Sequence, residues 1–163
     1  DVTMHGSGNI GATNVHRILG AKFGGATLVG DLAKGCVPVL IAPLVSDTPW
    51  FPGMVAITAF IGHCWSAYLE FRGGKGVATV AGALLALTPL VALFTAIVWM
   101  VTFLTIKRSS LAALVATAAL PILAVWLQPD ALWVCIVLAL GVLQRHKDNI
   151  TRLLNGSEPP TSR

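Results

Sequence analysis

The sequence predicts an all-α integral membrane protein, a polytopic helical bundle, and three observations carry that prediction. Of the 163 residues, 55% are hydrophobic and only 11% are charged, against about 25% charged in a typical soluble domain. The mean hydropathy of +0.78 means more apolar surface than a soluble fold can hide. Third, apolar runs recur along the chain at 24–45, 50–69, 77–106, 109–127 and 131–144, and every lysine and arginine except Lys34 lies outside them.

The runs at 24–45, 50–69 and 109–127 are each long enough for one helix across a bilayer. The run at 131–144 is short, but its apolar core Trp133–Leu143 can extend through polar flanks. The run at 77–106 is too long for one span: as a single helix it would reach roughly 45 Å, against a hydrocarbon core of about 30 Å. Leu87-Thr88-Pro89 offers a break, because proline lacks a donor and restricts the residue before it. Charge favours the break. With it, Arg17, Lys22, Arg72, Lys75, Lys107, Arg108, Arg145, Lys147, Arg152 and Arg163 all fall on one face, while the other carries only Asp47 and Asp130. The positive-inside rule then places the basic face in the cytoplasm and predicts six membrane segments.

Composition also excludes function classes. The net charge of +4 fits membrane orientation, and with a 7% aromatic share no basic cluster alternates with aromatics, which argues against a nucleic-acid partner. Cys36, Cys64 and Cys135 stand in separate apolar runs and read as small core hydrophobes. No HExxH or paired CxxC indicates a metal, and no GxSxG marks a nucleophile elbow.

Three polar segments meet at the basic face. The first is GSGNIGATNVHR, Gly6 to Arg17. Its small residues suit close backbone approach to a ligand, Thr13, Asn14 and Arg17 share a face if helical, and Arg17 offers bidentate phosphate recognition. The plain alternative is an interfacial loop with packing glycines. The second runs from Gly62-His63-Cys64-Trp65 to Phe71-Arg72-Gly73-Gly74-Lys75-Gly76-Val77-Ala78-Thr79. A glycine loop opening a helix presents N–H groups to an anion, Lys75 adds a point charge, and Thr79 sits one turn in. It is not a P-loop, since Gly76 follows Lys75; a tight turn with a snorkelling lysine is the alternative. His63 reads equally as a hydrogen-bonded structural histidine. The third is RHKDNITRLL, Arg145 to Leu154. His146 and Asn149 face one way, Ile150, Leu153 and Leu154 form an apolar stripe of an interfacial helix, and Gly156 terminates it.

Two further features stand apart. Asp31 and Lys34, one turn apart inside an apolar run, either serve function or neutralise each other. Ser109 and Ser110 open a helix, either as an N-cap or as hydroxyl donors to the same anion.

GSGNIGATNVHR, GHCWSAYLEFRGGKGVAT and RHKDNITRLLNGSE, in that order, resemble the three signature blocks of the bacterial acyl-phosphate:glycerol-3-phosphate acyltransferases, the PlsY family. The resemblance spans Gly6 to Glu158. It implies a seven-helix inner-membrane fold, here lacking its first helix, and a single acyltransferase domain over 1–163 with a cytoplasmic-side site. It implies transfer of an acyl chain from acyl phosphate to the 1-hydroxyl of sn-glycerol 3-phosphate, with no cofactor or metal. The substrates and membrane lipids would be its partners, alone or with an upstream enzyme that makes acyl phosphate. It implies that Ser7, Arg17, Lys75, His146 and Asn149 carry catalysis, that Thr13, Asn14, Gly73, Gly74, Gly76 and Ser110 bind substrate, and that Glu158 is structural. Members often carry basic residues just before the first block, where Val2-Thr3-Met4-His5 stands here. A membrane transporter of phosphorylated metabolites is the rival from another class: it too would use buried charges such as Asp31 and Lys34 and a broken helix near Pro89.

Overall fold

The computed structural model describes residues 1–161, and all the regular secondary structure among them is helical. An interfacial helix α1 (Ala12–Leu19) precedes six bundle helices: α2 (Ala21–Val45), α3 (Phe51–Cys64), α4 (Val77–Leu87), α5 (Pro89–Ile106), α6 (Ser109–Leu127) and α7 (Leu132–Arg145). A second short helix, α8 (Lys147–Leu154), follows. By length and composition α2, α5 and α6 can each cross a membrane. With 11 residues, α4 spans only about 16 Å.

The predicted break lies at Thr88, which caps both α4 and α5, with Pro89 at the first position of α5. The run at 50–69 is shorter as a helix than its apolarity suggests. It stops at Cys64 because the glycine loop returns to that end: Gly73 N–H donates to the Cys64 carbonyl and Gly74 N–H to that of His63. Those carbonyls belong to the last turn, which needs outside donors. Neither Ser109 nor Ser110 acts as a side-chain cap; Arg108 holds the cap position and the Ser109 N–H is taken by the Thr161 hydroxyl at 2.8 Å. Gly156, at φ +68°, follows the end of α8 as expected.

The core runs through Val39, Phe60, Leu84, Val91, Leu120 and Leu138, all nearly inaccessible. The outside is as greasy as the inside. Leu44, Trp126, Leu40 and Ile122 are exposed on α2 and α6, as expected of helices solvated by lipid. Without a hydrophobic drive between helices, close backbone packing must hold them together. At the α2–α4 crossing a side chain on Gly35 would strike the Thr79 carbonyl, and one on Gly82 the Leu32 carbonyl. That contact fixes the start of α4, where the glycine loop ends.

Candidate active site

At the basic end, three segments distant in sequence are tied into one network. The Lys75 ammonium donates to Asn149 Oδ1 at 2.5 Å. The Asn149 amide donates to Glu158 Oε1 at 2.6 Å, and the Ser110 hydroxyl to the same oxygen at 2.5 Å. Arg152 Nε pairs with Glu158 Oε2 at 2.6 Å. Glu158, on the irregular segment after α8, thus joins α6 to α8 and, through Asn149, to the glycine loop. Asn149 and Glu158 are almost fully buried, which only such partnering allows.

The glycine loop is clamped from both sides. Its Gly73 and Gly74 amides bond to α3, while Arg145 on α7 donates Nε to the Gly74 carbonyl at 3.1 Å and an outer nitrogen to that of Gly73 at 3.0 Å. The same guanidinium lies 5.2 Å over the Trp65 ring. The Gly73 and Gly74 N–H groups are therefore not open to an anion. The open ones are those of Lys75, Gly76 and the first turn of α4, which have no partner among the described residues. Gly76 sits at φ +78°, and a Cβ there would collide with Phe60. Thr79 is fully buried with its hydroxyl unpartnered, and its backbone carbonyl lies at the α2 contact.

The first block builds a second wall. Asn14, 2% exposed, accepts from the Ser7 N–H at 2.9 Å and donates to the carbonyls of Val2, His5 and Asn9. Its polar atoms are spent on shaping the loop, so any influence on a ligand passes through Ser7 and Asn9. The Ser7 side chain and Arg17 are exposed at the cavity mouth, and Thr13 is half-buried beside them. Arg17 makes one long contact, 3.4 Å to the Pro160 carbonyl. Neither Arg17 nor Lys75 is paired with a carboxylate among the described residues.

These groups surround the entrance of a cavity of about 650 Å³ that continues between the helices to Leu84, Ala92 and Leu120. Its head is cationic and its body apolar. Three titratable groups of the head lie outside α2–α7. Burial pushes the Lys75 ammonium below the usual lysine range, against the pull of Glu158. Burial also lowers His146 to about 4, although its ring bonds to the Val142 carbonyl at 2.8 Å. His146 is thus neutral at pH 7, with Nδ1 donating to that carbonyl and Nε2 left as acceptor. Burial would raise Glu158, but the hydrogen bonds from Ser110, Arg152 and Asn149 outweigh it and hold the carboxyl low and ionised.

All eleven residues singled out in the sequence line this cavity or, as Gly73 and Gly74, support its rim. Arg145, Trp65 and Arg152 carry no site role in the sequence reading, and Glu158, expected there as a structural residue, is the hub of the network. No cluster able to hold a metal occurs among the described residues.

The family model described as glycerol-3-phosphate acyltransferase matches residues 1–156. Relatives named glycerol-3-phosphate acyltransferase include one from Neisseria meningitidis serogroup C (strain 053442), 46% identical, and one from Syntrophotalea carbinolica, 47% identical. In each case 97% of this chain and 82% of the relative are covered. Among solved structures, the glycerol 3-phosphate form of PlsY, an integral membrane glycerol 3-phosphate acyltransferase, superposes with a TM-score of 0.92 at 37% identity, over 98% of this chain and 82% of that one. Its lysophosphatidic acid form gives 0.89 at 38% identity, over 94% and 80%. With the three polar segments brought to one cavity and the match running along almost the whole chain, this protein belongs to the glycerol-3-phosphate acyltransferase family of integral membrane enzymes.

Proposed function

We propose that this enzyme transfers a fatty acyl group from acyl phosphate to the 1-hydroxyl of sn-glycerol 3-phosphate, giving lysophosphatidate and inorganic phosphate, at the cytoplasmic face of a bacterial inner membrane. The observation that carries the reading is the cavity itself: a cationic head formed by Lys75, Arg17 and the α4 N-terminus opens onto an apolar body between helices. Two phosphates need the first, and an acyl chain fits the second. Family membership removes the transporter alternative.

Both substrates are anions, so binding needs charge. Lys75 and Arg17 supply it, and the Ser7 hydroxyl and the open amides at Lys75, Gly76 and the first turn of α4 supply directional donors. Thr13 lines the same wall, and Asn14 holds Ser7 in place. Asn149 and Ser110, both tied to Glu158, fix the height of Lys75. Holding the two reactants in attacking geometry supplies about 7–11 kcal/mol of the barrier.

Acyl phosphate is a mixed anhydride with a good leaving group. The glycerol oxygen bonds to the acyl carbon, the carbon–oxygen bond to phosphate breaks, and phosphate departs, so no enzyme nucleophile is required. The hydroxyl proton passes to a phosphate oxygen. A neutral, buried His146 with a pKa of about 4 is too weak a base to compete, and orients a hydroxyl through Nε2 instead. The basic segments on one face support a cytoplasmic site.

The test is an assay of purified protein with palmitoyl phosphate and glycerol 3-phosphate, reading lysophosphatidate and phosphate, with palmitoyl-CoA as control donor. Equal amounts of both products from palmitoyl phosphate alone are expected. Product from palmitoyl-CoA, or none from palmitoyl phosphate with folded protein, overturns the donor assignment.

A further inference from the structure

One buried cluster lines the same cavity without belonging to the cationic network at its head. Asp31, 7% exposed on α2, receives Lys34 Nζ at 2.6 Å and faces His63 Nδ1 at 3.6 Å through the same oxygen. His63, 6% exposed at the end of α3, has no hydrogen-bond partner for that nitrogen. The separation is too long for a hydrogen bond, so Asp31 acts on the ring through its field, and it is the one acid within ion-pair reach of His63 among the described residues.

The other side of the ring touches the glycine loop. A Cβ on Gly74 would overlap His63 Nε2, and the nearest carbon of the ring is only 2.8 Å from that position. The His63 carbonyl accepts the Gly74 N–H at 3.2 Å, so backbone and ring of one residue meet one glycine. From there the loop runs one residue to Lys75 and into α4. The α4 start is itself seated on α2, where Gly35, one turn beyond Asp31, touches Thr79. The same helix therefore governs both ends of the loop.

We propose that Asp31 and His63 are a positioning pair: Asp31 orients the His63 ring, the ring sets the height of Gly74, and Gly74 sets the reach of Lys75 toward the bound phosphate. Neither residue touches the reacting atoms. Lys34, its side chain 45% exposed, pairs with Asp31 from the open side of the helix, and the His63 ring is the part through which Asp31 reaches the site. The kinetic consequence rests on the acyl transfer proposed above; the structural consequence does not.

The experiment compares Asp31→Asn, His63→Gln, the double variant and Lys34→Met. KM and kcat are measured for each phosphate substrate, and hydrogen exchange is measured at Gly73 and Gly74. A loop that has moved weakens phosphate binding in ground and transition states alike. Asp31→Asn and His63→Gln are therefore each expected to raise KM for one substrate about tenfold with kcat within about twofold. The double variant is expected to be no worse than either single one, and Lys34→Met to stay within about twofold of wild type, since it leaves the His63 contact intact. Exchange at Gly73 and Gly74 is expected to quicken in Asp31→Asn whether or not the protein turns over acyl phosphate. Additive losses, a Lys34→Met defect as large as that of Asp31→Asn, or unchanged exchange and KM in Asp31→Asn would each overturn the pairing. If His63→Gln does not fold, the near-isosteric Asp31→Asn and Lys34→Met still decide the matter.

Discussion

The two ends of the bundle are built on different principles. At the basic end, side chains bond across the fold: Lys75 to Asn149, Ser110 to Glu158, Arg145 to Gly73. At the opposite end every side-chain bond among the described residues is local. Ser46 donates to Thr48 at 2.9 Å, and the Thr88 hydroxyl reaches only the Leu84 carbonyl one turn back at 3.4 Å. Long-range bonds mean that a change in one segment is felt in three others; local bonds confine the damage to one turn. The basic end is therefore where positions are held tightly, and position is what a reaction between two anions requires.

The sharpest way to break this contrast is Lys75→Met. It removes the cation that the network holds in place, while the methionine fills the same space. We expect kcat/KM to fall about 10²- to 10³-fold, with the unfolding midpoint in detergent within a few degrees of wild type. A loss below about tenfold would mean that Arg17 and the α4 amides do the binding without it.

Next comes Glu158→Ala. Ser110 and Asn149 would lose their shared acceptor, and each buried group left unsatisfied costs about 1–3 kcal/mol. Arg152 is partly exposed, so its lost ion pair adds little. Stability should drop measurably in a chemical unfolding titration, and activity should fall with it because Lys75 loses its fixed partner. Glu158→Gln keeps an oxygen for both donors and should recover most of the stability.

How much of this contrast is legible in the sequence differs by end. The helix break at Thr88 follows from a run too long for one bilayer and a proline inside it, and the convergence of the polar blocks follows from the placement of charge. The glycine loop is read from its own letters, and the resemblance assigns Lys75 and Asn149 to one site. What the letters cannot supply is connectivity. Glu158 reads as a structural acid without named partners because those at 110, 149 and 152 come together only after α6 and α8 pack. Arg145 reads as one more positive-inside charge, because nothing local shows that its fork closes on two glycine carbonyls. The amides of Gly73 and Gly74 look open for the same reason: the α3 carbonyls that take them are nine residues or more upstream, hidden in an apolar run that seems to continue.

A subtler test concerns pH. The folded pKa of His146, about 4, lies below the ordinary histidine value. Between about pH 6.5 and 4 the unfolded chain binds a proton that the folded chain refuses, so stability falls as pH falls through that window and this contribution is fully present above it. His146→Gln should remove that slope. Any acid limb of the kcat/KM profile near 6.5 should belong to substrate phosphate and persist in His146→Gln; a limb that disappears in that variant would make His146 the base after all.

The smallest expected effect belongs to the far end and gives the comparison its zero. Ser46→Ala deletes the hydroxyl that donates to Thr48 and accepts the Thr48 N–H at 3.2 Å. The side-chain hydrogen bonds of that turn stay within three residues, and Ser46 is partly open to solvent, which can replace them. The stability change should stay within about 0.5 kcal/mol and kcat/KM within about twofold. Read beside Glu158→Ala, the result separates two causes: if a local turn on the far side moved KM as much as the hub of the network does, the bundle would transmit strain along its helices, and the tight bonding of the basic end would no longer explain why the site sits there.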